Sequence, residues 1–196
     1  MHPEILSLSL FMFVTSFSPG PNNIVASHSG FNHGMKKTIP VMLGVIFGFT
    51  TMITIVNFGL INIFKLYPII QKTLIFTGTI FLIYLAYKIS FSKTNTQEKS
   101  LNAVTFTETF MYQFLNPKGV IVAIISVSTY VEAGNNFLNY SLWVIGVAFV
   151  FAIISIIFWV LIGKFMSKFA TNDKFIKLFN YAMSLLLLSC IATFYL

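Results

Sequence analysis

The chain has 196 residues, of which 57% are hydrophobic and only 9% are charged, and its net charge is +7. Because a soluble domain carries about 25% charged residues, this composition excludes a soluble globule and predicts an integral membrane protein. The positive charge does not indicate a nucleic-acid partner, since phosphate contacts lean heavily on arginine and the sequence has none. The only cysteine, Cys190, excludes an internal disulfide or a redox pair.

Six apolar segments are long enough to cross a bilayer, since a spanning helix needs about 20 mostly apolar residues. In chain order they cover residues 4–29, 40–63, 68–88, 109–131, 138–163 and 175–195. The polar stretch at 90–108 predicts a cytoplasmic linker between two three-helix halves, 1–89 and 109–196. The sequence therefore predicts an all-α integral membrane protein whose residues 1–196 form a single membrane domain of six transmembrane helices.

Lysine positions predict the orientation, because cytoplasmic loops carry an excess of Lys and Arg. The lysines assigned to loops one, three and five are Lys36, Lys37, Lys88, Lys93, Lys99, Lys164, Lys168, Lys174 and Lys177. Only Lys65 and Lys72 fall on the opposite side. We therefore expect a multi-pass protein of the cytoplasmic (inner) membrane with both termini outside.

The first apolar segment is interrupted at residues 18–23, Ser-Pro-Gly-Pro-Asn-Asn. Proline lacks an N–H group and blocks a helical hydrogen bond, so we expect the helix to end near Ser18. Gly20 can adopt positive φ without steric cost, and Pro21 suits the first position of a restarted helix. The free N–H groups of that helix would carry partial positive charge at membrane depth.

The fourth segment has a similar interruption at residues 115–119, Leu-Asn-Pro-Lys-Gly. Asn116 can cap a new helix, Pro117 fits its first position, and Lys118 adds a full positive charge. Three helices per half make any repeat between the halves an inverted one. Broken helices at matching places in two inverted halves indicate a transporter's binding site, so the two new helix ends are expected to converge near the midplane.

Helix N-termini favour a carboxylate, and amide side chains could bind the other polar groups of a small zwitterion. A small amino acid is therefore the expected substrate. The predicted substrate-binding residues are Pro19, Gly20, Pro21, Asn22, Asn23, Gln113, Asn116, Pro117 and Lys118. For Lys118 the alternative is that its side chain snorkels to the cytoplasmic interface.

Other residues have weaker signals. Gly44 and Gly48 form a stripe of small residues suited to helix packing, either within the bundle or in a homodimer. His28 has a pKa range suited to proton coupling, although it could also be an ordinary polar residue near the inner interface. No catalytic residue, cofactor or metal site is predicted. The acidic residues lie near helix ends or in loops, and hard cations want carboxylate oxygens, which argues against a divalent-metal carrier.

The motifs resemble those of the LysE/RhtB amino-acid exporters. The residues that carry the resemblance are Pro-Gly-Pro-Asn at 19–22, the glycines of the second segment, and Asn-Pro-Lys at 116–118. The sequence at 19–24, with His33-Gly34 downstream, is most similar to the cysteine/O-acetylserine exporter branch, and the sequences at 113–116 and 128–131 point the same way. The resemblance implies efflux of amino acids or close derivatives across the inner membrane, driven by the proton-motive force.

Two alternative functions belong to other classes of protein. A non-transporting membrane assembly or accessory subunit would use the glycine stripe to pack on a partner and would lack a polar central cavity. An intramembrane hydrolase is suggested only by Ser-His-Ser-Gly at 27–30. That sequence lacks the first glycine of the Gly-x-Ser-Gly pattern, and adjacency of Ser29 and His28 does not create a nucleophile–base hydrogen bond.

Overall fold

The computed structural model describes residues 4–60, 68–91, 104–132, 134–170 and 173–192, and in these ranges the chain is helical without strands. The helices are α1 (Ile5–Phe17), α2 (Pro21–Ile55), α3 (Pro68–Ser90), α4 (Phe106–Leu115), α5 (Pro117–Tyr130), α6 (Phe137–Met166) and α7 (Asp173–Ala192). A π turn, Val56–Leu60, extends α2, and a 3₁₀ turn, Ser167–Phe169, extends α6. Most of the predicted linker, residues 92–103, lies outside the described residues.

Helix α2 changes direction at Gly34, whose φ is 71° and ψ is 175°. Glycine adopts this conformation at little steric cost because it lacks a Cβ. The connection expected between the first two segments is therefore reduced to this one residue, with helix on both sides of it. Thr38 Oγ1 donates a hydrogen bond of 2.8 Å to the Gly34 carbonyl. Lys36 and Lys37 lie exposed on the helix directly after this kink.

Within the described residues, three helical stretches are long and apolar enough to cross a membrane: Pro21–Gly59, Phe137–Phe169 and Lys174–Ala192. The pair α4 and α5, bent by 60°, is a fourth if it forms one broken span. Large apolar side chains on the outside of the bundle, such as Leu185 at 69% exposure, suit contact with lipid. The chain is a multi-pass membrane protein, and its arrangement as six spans in two inverted halves stays a prediction.

Helix α2 lies at the centre of the bundle, because it contributes to each of three buried apolar clusters. The first cluster joins it to α1, α5 and α6. The second joins it to α3, α4 and α7. The third, which includes Val45, Ala152 and Ile156, is formed by α2 and α6 alone.

Two glycines allow α2 and α6 to approach each other closely. A Cβ on Gly30 would overlap the carbonyl oxygen of Val160, and a Cβ on Gly163 would overlap that of Ser27. The contact is reciprocal, since each helix places a glycine against the other's backbone. The sequence pattern did not predict this pair of contacts.

The glycine stripe that the sequence analysis did single out packs inside the chain, against α4. A Cβ on Gly44 would overlap the Thr109 hydroxyl, and a Cβ on Gly48 would lie 2.7 Å from Cγ of Gln113. Both glycines are buried. The stripe therefore positions α4, which ends at the second helix interruption.

We expect Gly163→Ala to destabilise the protein by about 1–3 kcal/mol, the usual cost of overpacking, because the backbone of Ser27 cannot yield as a side chain can. The measurement is the Tm of the detergent-solubilised protein. Gly146→Ala on the same helix is the control, since among the described residues no atom outside its own helix backbone lies within 4 Å of its added Cβ, and its Tm should stay level or rise slightly. Equal Tm values for the two variants would contradict the close approach.

Candidate functional site

The helix starts that follow the two interruptions have the same local chemistry. Helix α2 follows non-helical residues 18–20, and α5 follows Asn116 alone. Each begins with a proline, and no side chain caps either N-terminus. The first backbone hydrogen bonds run from Ile24 N to Gly20 O and from Val120 N to Asn116 O, each 3.0 Å. The N–H groups before them therefore have no partner within their own helix.

Lys118 bridges the two interruptions. Its Nζ donates to the Ser18 hydroxyl at 2.8 Å, the Ser18 carbonyl at 3.1 Å and the Pro19 carbonyl at 3.2 Å. An ammonium group has three donors, and these bonds use all three. The charge lies at the C-terminal end of α1, where the helix dipole favours a cation. Lys118 thus points into the bundle instead of snorkelling, and its donors are occupied by Ser18 and Pro19, which directly follow α1.

Gly20 is needed for space and not for an unusual backbone angle. The sequence predicts positive φ at this glycine, but its φ is −171° and its ψ is 172°, an extended conformation open to any residue. A Cβ at this position would lie 2.9 Å from Lys118 Nζ and 3.2 Å from Lys118 Cδ. The missing side chain therefore makes room for the lysine.

Asn23 completes the cap on α1. Its Nδ2 donates to the Ser16 carbonyl at 2.8 Å and to the Ser18 carbonyl at 2.9 Å. The last carbonyl groups of a helix have no partner within it. Here Asn23 supplies a donor to Ser16 in the last turn of α1, and Asn23 and Lys118, from two other helices, supply donors to the residues that directly follow it.

A reciprocal amide pair joins the start of α2 to α4. Asn22 Nδ2 donates to Gln113 Oε1 at 2.8 Å, and Gln113 Nε2 donates to Asn22 Oδ1 at 3.0 Å. Gln113 Nε2 also donates to the Thr109 carbonyl at 2.8 Å, and the Gln113 side chain is fully buried. The pair fixes the position of the α2 N-terminus.

Both helix starts line one cavity of about 70 Å³. Pockets for drug-sized ligands measure roughly 300–1,000 Å³, so this cavity suits only a small solute. Its polar lining residues are Thr15, Ser16, Asn22, Asn23, Asn116, Lys118 and Ser155, and the others are Gly20, Pro21, Val45, Phe49, Gly119, Val122, Ala152 and Ile156.

Asn116 has the least satisfied side chain in this lining. The residue is 2% exposed, and its Oδ1 has no hydrogen-bond partner among the described residues. Leaving a buried acceptor unsatisfied costs about 1–3 kcal/mol. A ligand that donates a hydrogen bond would remove that cost.

Of the predicted substrate-binding residues, six line the cavity: Gly20, Pro21, Asn22, Asn23, Asn116 and Lys118. Pro19, Gln113 and Pro117 do not, although Pro117 begins α5 and Gln113 holds Asn22. Sequence reasoning missed the α6 residues of the lining, which read as ordinary apolar or small residues of a membrane helix. Only the packing of α6 against α2 places them here. Thr15 and Ser16 could have been found from their position next to the first interruption.

His28 lies outside the cavity lining, in a separate polar contact among three helices. It is 2% exposed, and the Asn180 side chain and the backbone of Ile89 lie beside it. Asn32 Nδ2 donates to Asn180 Oδ1 at 2.8 Å. The contact therefore links α2 to α3 and α7.

The hydrolase alternative gains no support from the position of Ser29. Its hydroxyl pairs with the Thr38 hydroxyl at 3.0 Å and not with His28. A serine nucleophile needs a base within hydrogen-bonding reach, and the neighbouring Thr38 hydroxyl cannot act as one at ordinary pH.

We expect a double-mutant cycle to detect the contact between Gly20 and Lys118. Gly20→Ala should lower the stability by about 1–3 kcal/mol, the scale of hydrogen bonds to a charged group, because the new Cβ displaces the ammonium. In a Lys118→Ala background the same change should have little effect, since no lysine remains to displace. The measurement is equilibrium unfolding in detergent, and additive losses would contradict the proposed role of Gly20.

Comparison with known proteins identifies the family of this chain. The LysE type translocator family matches residues 13–194. The cysteine/O-acetylserine efflux proteins of Escherichia coli strain K12 and of Escherichia coli O139:H28 (strain E24377A / ETEC) are each 27% identical to the chain. That of Salmonella choleraesuis (strain SC-B67) is 29% identical. Each alignment covers 97% of this chain and 97% of the relative.

No solved structure matches the chain. The family match nevertheless extends over both helix interruptions, the cavity between them and the α6 residues that close it. Translocators move solutes and do not transform them, so the chain is a transport protein and not an enzyme. The chain belongs to the LysE type translocator family.

Proposed function

We propose that this protein exports small neutral amino acids or their derivatives, such as cysteine and O-acetylserine, across the cytoplasmic membrane. Amino-acid export is the function that the family and the efflux relatives support. The observation that carries the proposal is one small cavity lined by two helix N-termini and by the buried acceptor of Asn116.

The substrate carboxylate is assigned to the starts of α2 and α5. Free N–H groups and the helix dipoles favour an anion there. The Lys118 ammonium lies in the same lining and adds positive potential, while its donors hold the end of α1. In this proposal the backbone binds the carboxylate and the lysine contributes mainly its charge.

The substrate ammonium is assigned to acceptors on the polar side of the cavity. Asn116 Oδ1 is the first of these. Thr15 Oγ1 is the second, because it donates to the Phe11 carbonyl at 2.8 Å and keeps lone pairs that can accept. No carboxylate appears among the described residues that line the cavity. A second positive charge on the substrate would therefore lack a counter-charge, which favours neutral amino acids over basic ones.

The polar cavity also distinguishes transport from the accessory-subunit alternative. That alternative expects tightly packed, dry helix interruptions. Here the interruptions leave a cavity that seven polar side chains line, an arrangement that packing alone does not require.

We further propose that efflux is driven by the proton-motive force, in a chain of six spans with both termini outside. His28 is the candidate coupling group. It is buried where α2 meets α3 and α7, so a change in its protonation would alter the packing among these helices. His33, five residues further along α2, is a titratable group that acts on it electrostatically.

For the substrate assignment, we expect the protein in proteoliposomes to transport cysteine, O-acetylserine or serine down an imposed pH gradient. Asn116→Ala should weaken substrate binding roughly 10- to 100-fold, since a hydrogen bond to a charged group is worth about 1.5–3 kcal/mol. Asn135→Ala, at an exposed position, is the matched control. No transport of any of these amino acids by the wild type would refute the proposed function, and equal behaviour of the two variants would refute the role of Asn116.

For the coupling assignment, we expect His28→Gln to retain exchange of substrate across the membrane but to lose pH-gradient-driven accumulation. Glutamine keeps hydrogen-bonding capacity and cannot carry the proton. His33→Gln, at a half-buried position, should retain both activities. Both are measured in the same proteoliposomes, and driven accumulation by His28→Gln at the wild-type rate would exclude His28 as the coupling group.

A further inference from the structure

We propose that α6 limits the size of the substrate side chain, with Ala152 and Ile156 as the determining residues. The inference rests on the proposed function, because it takes the cavity as the site of an amino acid. It adds a role for a helix that contains neither of the proline interruptions.

The two residues lie on the same face of α6, since positions four apart in a helix align. Both line the cavity, and they are 6% and 1% exposed. They belong to the apolar cluster that includes Val45 of α2, with Phe49 packed against it. Val45 and Phe49 also line the cavity, so the four side chains form one continuous apolar wall.

The cavity has two chemically different sides. The helix starts, Asn116 and Thr15 provide the groups assigned above to the carboxylate and the ammonium, and α6 and the second part of α2 provide the apolar wall. An amino acid bound by its charged groups on the polar side has only the remaining space for its side chain. The apolar wall bounds that space.

The apolar wall has little freedom to move away from the cavity. The reciprocal contacts of Gly30 with Val160 and of Gly163 with Ser27 hold the α6 backbone against α2. Behind the wall, Ala26, Ile46 and Val160 are buried in the same cluster. Since packed interiors resist added volume, a larger substrate side chain would require these helices to separate.

Ser155 is a polar side chain on the same helix as Ala152 and Ile156. It lines the cavity, is 4% exposed, and donates to the Ala152 carbonyl at 3.3 Å. Its oxygen keeps lone pairs that can accept a hydrogen bond. A short side chain ending in a hydroxyl, thiol or small polar group therefore fits this wall better than a branched or aromatic one.

The test is the substrate preference of Ile156→Ala. Ligand-induced thermal stabilisation of the purified protein gives apparent Kd values for serine, cysteine, leucine and phenylalanine. One methylene in an apolar pocket is worth roughly 10- to 200-fold in discrimination. We expect the ratio of the Kd for leucine to that for serine to fall about tenfold or more in Ile156→Ala.

Ile157→Ala is the matched control, because Ile157 is the next residue on α6 and is 37% exposed. The ratio of its Kd for leucine to its Kd for serine should equal that of the wild type. Ala152→Val tests the opposite change: it should weaken binding of cysteine about tenfold or more and binding of glycine less. This variant decides the question if Ile156→Ala does not fold.

Wild-type preferences in both Ile156→Ala and Ala152→Val would overturn the assignment to α6 while leaving the proposed function intact. Absence of stabilisation of the wild type by every amino acid, together with absence of transport, would instead overturn the proposed function. A shifted preference in Ile157→Ala as large as that in Ile156→Ala would also overturn the assignment, since that side chain lies outside the wall.

Discussion

The structure depends on how the end of α1 is satisfied inside the bundle. A helix that stops within a membrane protein leaves carbonyl groups that need donors, because hydrocarbon offers none. Asn23 donates to the carbonyl groups of Ser16 and Ser18, and Lys118 donates to those of Ser18 and Pro19 just past the helix end, at distances of 2.8–3.2 Å. These side chains come from α5 and α2, so the same hydrogen bonds that complete α1 also position the starts of two other helices.

The carbonyl and N–H groups at the helix interruptions differ in how they are satisfied. The carbonyl end of α1 is closed by side chains, whereas the N–H ends of α2 and α5 begin with proline and have no side-chain cap. The cavity is therefore bordered by donors and by positive charge. Lys118 contributes to this potential without offering a free donor, and Asn22 is held by Gln113.

The packing of the helices supplies the apolar part of the cavity, which the polar helix ends do not provide. Close glycine contacts bring α6 against α2, and this approach closes the cavity with an apolar wall. Recognition of an amino acid requires a polar site for the carboxylate and ammonium of the substrate and an apolar space for its short side chain. The function proposed for this translocator depends on both, and they come from different helices.

The sequence by itself determined the class of protein and its family, because composition and short motifs act locally. It also places Pro21 and Pro117 where α2 and α5 begin, since the lack of an N–H acts on the residue's own helix. The tertiary structure alone decided the roles of Lys118, Gly20 and α6. Lys118 meets Ser18 across 100 residues of chain, and no local pattern encodes such a contact. Gly34 shows the same limit: a glycine permits positive φ, but only the packing of the helices on either side selects it.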